Sequence, residues 1–136
     1  MHRLRGLIIA QAAEVEDVLG AILDHLDPST VRRRRTAGQR LREIEARLSA
    51  GDRDAWADTL DLLDHAIKAR NHAAHNTVDI GSVWRDYATG DGGEWVPVVS
   101  TMGDELYDKQ DLQRDLALQQ EVTVEAVRLL HYVRRQ

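Results

Sequence analysis

Apolar residues recur at helical spacing along four stretches of this chain and in β-rich runs along a fifth. Leu4, Leu7, Ile8, Val15, Val18, Leu19, Ile22 and Leu26 fall on one face, which predicts a helix over residues 3–26 that Asp27-Pro28-Ser29 stops. Leu41, Ile44 and Leu48 predict a second helix, starting at Val31 or Thr36 and ending at Ser49, with Gly51 as its left-handed cap. Asp54 is then expected to cap a third helix over residues 55–76. Its stripe is Trp56, Leu60, Leu63, Ile67 and Ala74, widened by Ala55, Leu62, Ala66, Ala69 and Ala73. Residues 78–100 change character, with Val78, Ile80, Val83, Trp84, Trp95, Val96, Val98 and Val99 flanking Thr89-Gly90-Asp91-Gly92-Gly93. That arrangement predicts a hairpin whose second strand, carrying Pro97, lies at an edge. A last helix is predicted over residues 108–134, burying Leu112, Leu116, Val122, Ala126, Val127, Leu129, Leu130 and Val133. The expected fold is all-α, an up-and-down antiparallel bundle of about four helices with a β-hairpin inserted before the last, in a single domain over residues 1–136.

Composition narrows the chemistry. The chain has 136 residues, no cysteine and a formal net charge of −5. A disulfide frame and a thiolate metal site are excluded. The molecule as a whole does not attract nucleic acid, so any such contact needs a local basic patch. Met1-His2-Arg3-Leu4-Arg5 followed by the apolar Gly6–Ala10 imitates a secretory leader, but the apolar core is too short. It reads as the start of the first helix, no stretch is long enough to cross a membrane, and a cytoplasmic location is expected.

Chemistry concentrates at the end of the third helix, in Arg70-Asn71-His72-Ala73-Ala74-His75. Arg70 projects into the apolar arc, where a charge is costly unless it is paired or meets a solvated interface. Asn71 and His75 are neighbours four residues apart. His75 is rotated by about 140° from Arg70 on an ideal helix, so the two do not converge within one chain unless the helix ends there. Arginine, amide and imidazole together suit phosphodiester cleavage. RNA supplies its own nucleophile, the 2′-hydroxyl. A histidine can move the proton, and a guanidinium can grip the phosphate and stabilise the charge that builds on it.

This run resembles the motif of the HEPN domain (higher eukaryotes and prokaryotes nucleotide-binding): arginine, a polar residue that is often asparagine, three variable residues and histidine. The order of helices, hairpin and closing helix is similar to that of small prokaryotic members. The resemblance implies a helical, homodimeric endoribonuclease that cuts RNA without a metal or other cofactor. Two motifs would meet across the dimer, with Arg70 and His75 catalytic and Asn71 supporting them. It also implies a role as the toxin of a toxin–antitoxin pair or in phage defence, with a cognate antitoxin protein as partner. Two residues after the motif histidine stands Thr77, where some members carry a tyrosine that their antitoxin modifies, so that mode of control is not expected.

Other signals have competing readings. Arg32, Arg33, Arg34 and Arg35 form either a solvated run or a phosphate-contacting patch. His72 is either a solvated side chain or a substrate contact. His65, His72 and His75, with Asp61 and Asp79, could be read as metal ligands, but bundle sites draw ligands from several helices and none is assigned. Asp61, Asp64 and Asp79 would repel RNA unless turned away. Trp84, Tyr87 and Trp95 are expected to cover a bundle end, the alternative being base stacking. The rival functional class is a non-catalytic HEPN-like module that binds a nucleotide or a protein; a plain helical scaffold dimer is a third.

Overall fold

A computed structural model describes residues 2–29, 35–75, 79–100 and 106–136 of the chain. The elements are α1 (His2–Leu26), α2 (Ala37–Arg47), α3 (Ala50–Ala55), α4 (Ala57–His75), β1 (Asp79–Asp86), β2 (Gly93–Ser100), β3 (Leu106–Tyr107) and α5 (Lys109–Arg134). The fold is a helical bundle with a hairpin before the final helix, as the apolar pattern predicts.

Each long stripe finds its partners in one core. Val15, Leu19 and Ile22 of α1, Leu41 and Ile44 of α2, Leu60, Leu63 and Ile67 of α4, and Val122, Ala126, Leu129 and Val133 of α5 are buried together. Each such Val, Leu or Ile side chain removed from water contributes about 1.5–3 kcal/mol. Leu7, expected on the buried face of α1, is exposed; near its N-terminus that helix packs only a narrow line, Leu4 and Ile8, against Leu112 and Leu116.

The short α3 was not anticipated. Ser49 caps it by accepting from the Asp52 backbone N–H, so Gly51 and Asp54 lie inside a helix instead of ending one and starting another. The second helix ends earlier, with Leu48 in extended conformation. Tyr132 of α5 anchors α3, donating its hydroxyl to Asp52 Oδ1 at 2.6 Å. Its ring packs on Trp56 at 5.3 Å between centroids, so Trp56 is only partly buried, beside the core rather than within it.

Side-chain contacts give the helix directions. Along α4 and α5, His72 meets Tyr107, Gln119 meets Ala66 and Thr59 meets Glu125, an antiparallel pairing. Ala37 and Ile67 share a wall, and only the short α3 separates the end of α2 from the start of α4, so α4 also runs against α2. Arg40 reaches Glu16 and Arg47 reaches Asp27, so α1 and α2 share a direction. The expected up-and-down order therefore does not hold between α1 and α2, because the connection from Leu26 to Ala37 is not the short loop that makes sequence neighbours antiparallel. The C-terminus of α4, the N-termini of α1 and α5, and the hairpin therefore gather at one end of the bundle.

β1 and β2 pair antiparallel from Asp79↔Ser100 to Asp86↔Gly93. Gly90 (φ 78°) and Gly92 (φ 81°) supply the left-handed positions of the connecting turn. The sheet order is β1-β2-β3, but β3 meets only Val99 and Ser100, so β2 is an edge at Pro97. Tyr87 N–H donates to Gly92 C=O; by alternation Ser82↔Pro97 and Trp84↔Trp95 are non-hydrogen-bonded pairs. The missing N–H of Pro97 thus costs the ladder nothing. Trp84, Tyr87 and Trp95 do not cover the bundle end: they are 50%, 48% and 68% exposed. Alternation turns Val98 into the bundle and the two indoles outward.

Candidate functional site

Arg70 and Asn71 lie in the last two turns of α4, and the helix continues to His75. The arginine has partners in the apolar arc. Its Nη2 stands 3.3 Å from Glu16 Oε1 of α1, and its Nη1 donates to Asn71 Oδ1 at 3.0 Å. Its Nε is buried and makes no hydrogen bond among the described residues. The side chain keeps 27% exposure, so the guanidinium is reachable from solvent. Beside it, Ala12, Val15, Ala37, Ile67 and Gln119 wall a crevice of about 10 Å³, room for a water molecule but not for a nucleotide.

Glu16 links three helices. Its carboxylate holds Arg70, and its backbone carbonyl accepts from Arg40 Nη1 of α2 at 2.6 Å. Gln119 is buried in the same region and donates to Ala66 C=O at 2.7 Å. Sequence reasoning missed both. Gln119 could have been found, because it is the polar position in phase with Leu112, Leu116, Val122 and Ala126. Glu16 could not be singled out, since Glu14 and Asp17 lie within the same turn.

His72 faces α5 and β3. Its ring lies 5.3 Å from that of Tyr107. The Asp115 carboxyl nearby is pushed up from the ordinary range by burial and by the Asp111 carboxylate, with the His72 imidazole pulling it partly back. Leu4 and Ile8 pack on the Tyr107, Leu112 and Leu116 side of this cluster. That contact brings the basic first turn of α1, with His2, Arg3 and Arg5, to the end of the bundle that carries the motif. This basic patch also escaped the sequence reading, which treated those residues as a false leader.

Of the remaining sequence candidates, Arg35 forms an ion pair with Glu43, so it is no free phosphate ligand. Arg32, Arg33 and Arg34 lie outside the described residues, as do the side chains of His75 and Asp79. His65 is exposed on α4. Among the described residues no group of three or more His, Asp or Glu side chains is placed to hold a metal ion. Among them, too, no helix is long and apolar enough to cross a membrane.

Comparison with protein-family models, with curated proteins and with solved structures gives no match.

Proposed function

We propose that this protein is a metal-independent, HEPN-type endoribonuclease acting as a homodimer in the cytoplasm, as the toxin of a toxin–antitoxin pair or in phage defence. The observation that carries the reading is the Arg70 guanidinium in the last turns of α4, held by Asn71 and still reachable from solvent. That supports an anion-binding role despite the overall negative charge. In the reaction, one His75 imidazole takes the 2′-hydroxyl proton and the 2′-oxygen bonds to phosphorus. The bond to the 5′-oxygen breaks, and that oxygen takes up the proton that the same imidazole now holds. Arg70 stabilises the charge on the non-bridging oxygens. The products are a 2′,3′-cyclic phosphate and a 5′-hydroxyl.

The Arg70–Glu16 ion pair favours a second reading, a non-catalytic module in which the arginine joins α4 to α1. The two separate in one experiment. Purified protein is incubated with RNA in excess chelator, and the product ends are identified. Cleavage is expected from the parent and reduced about 10²-fold or more in Arg70→Ala and His75→Ala. Intact RNA with all three proteins leaves the binding-module reading in place.

A further inference from the structure

The hairpin holds a second surface that the proposed reaction does not use. Trp84 and Trp95 face each other across the strands with ring centroids 5.8 Å apart, edge to face. The Trp84 indole N–H donates to Asp86 Oδ1 at 2.9 Å. A Cβ at position 93 would lie 2.9 Å from Trp84 Cε2 and 2.3 Å from Arg85 O, so only glycine leaves room for that indole. Two large aromatic rings are thus locked in place while half or more exposed, which hairpin packing alone does not require. The surround is acidic: Asp86 on the same face and Asp91 in the turn are exposed, and the one cation of the hairpin, Arg85, lies on the opposite face bound to Asp108. Such a face repels RNA phosphates and suits a cation.

The backbone beside it is also available. Among the described residues β1 is the outer strand of the sheet. Its hydrogen bonds to β2 come from alternate residues, so the N–H and C=O groups of Ser82, Trp84 and Asp86 point to the open edge. An added strand would pair there, and its alternate side chains would stand beside Trp84 and Asp86 at about 5 Å, within cation–π reach.

We propose that β1's outer edge and the Trp84–Trp95 face bind an extended, cationic segment of a partner protein, with lysine or arginine at every second position. The inference uses neither Arg70 nor His75, so it stands or falls separately from the ribonuclease reading. The test is titration of the full chain with a synthetic peptide alternating lysine and threonine, read by indole fluorescence and calorimetry. A glutamate–threonine peptide and an RNA oligonucleotide are run in parallel. Ser82→Pro removes one outward N–H without touching the β1–β2 ladder, as Pro97 does opposite it. Binding of the lysine peptide is expected, weakened about fivefold by Trp95→Ala and about fivefold by Ser82→Pro, with no binding of the glutamate peptide. Absence of lysine-peptide binding, or binding that both substitutions leave unchanged, overturns the proposal. RNA binding lost in Trp95→Ala would reassign the face to nucleic acid, and a self-association lost in Trp95→Ala would give it to a second copy; either result overturns it.

Discussion

Arg70 is in tension between two tasks. An arginine at this point of the α4 face must have a counter-charge, and Glu16 provides it at 3.3 Å. The same counter-charge weakens the guanidinium as a phosphate ligand, because a substrate must displace or share it. Glu16→Gln removes the charge and keeps the shape. The pair is partly solvated, so the loss in stability is expected to stay below about 1 kcal/mol. If Arg70 binds the scissile phosphate, RNA cleavage by Glu16→Gln rises; if it only joins α4 to α1, the denaturation midpoint falls and cleavage does not change. The sequence made half of this legible. The position of Arg70 in the arc demanded a partner or an interface, and a partner exists; which acid supplied it depended on the relative rotation of α1 and α4, which no single helix encodes. The tryptophans fail for a related reason. An alternating strand shows that one face is buried but not which, so the expectation that Trp84 and Trp95 cover a bundle end fails where Val98 takes that side.

At the scale of elements, periodicity predicted the four long helices and the hairpin well, and the junctions poorly. Ser49 rather than Asp54 starts the chain's third helical segment; both are good caps, and the contacts of Tyr132 with Asp52 and Trp56 favour the earlier start. The predicted start of α5 at Asp108 agrees with the structure, and its cap has a pH signature. Asp108 accepts from the Asp111 backbone N–H and from Arg85, and these hold its carboxyl below the usual value of 3.8. The stability it contributes is therefore complete above that value and lost as the pH falls through the depressed folded one. Asp115, two turns further along, has the opposite sign. Its carboxyl is raised by burial and by Asp111, so its contribution is present below 3.8 and lost as the pH rises through the folded value. Urea unfolding at neutral pH and near pH 3 separates them. Asp108→Asn is expected to destabilise at neutral pH and to lose less on acidification than the parent. Asp115→Asn is expected to stabilise at neutral pH, with the gain vanishing in acid.

On the scale of the whole molecule, a net charge of −5 is divided into regions of opposite sign. The first turn of α1 is basic and lies by the α4 terminus, whereas the hairpin tip is acidic. That division allows a nucleic-acid site and a cationic protein site on one small chain. It leaves the geometry of the motif to be met. α4 stays helical through His75, so the directions of positions 70 and 75 still differ by about 140°, and the crevice beside Arg70 is too small for a nucleotide. The proposed two-fold dimer would meet both conditions by setting the Arg70 of each copy against the His75 of the other. The consequence is complementation in trans. Arg70→Ala and His75→Ala are each expected to be inactive alone. Mixed, unfolded together and refolded, they form heterodimers in which one copy keeps His75 and the other keeps Arg70, and cleavage should return well above either variant. If both groups acted within one chain, every subunit in the mixture would lack one of them and activity would stay at the level of the separate variants, even with heterodimers demonstrated by differential tags.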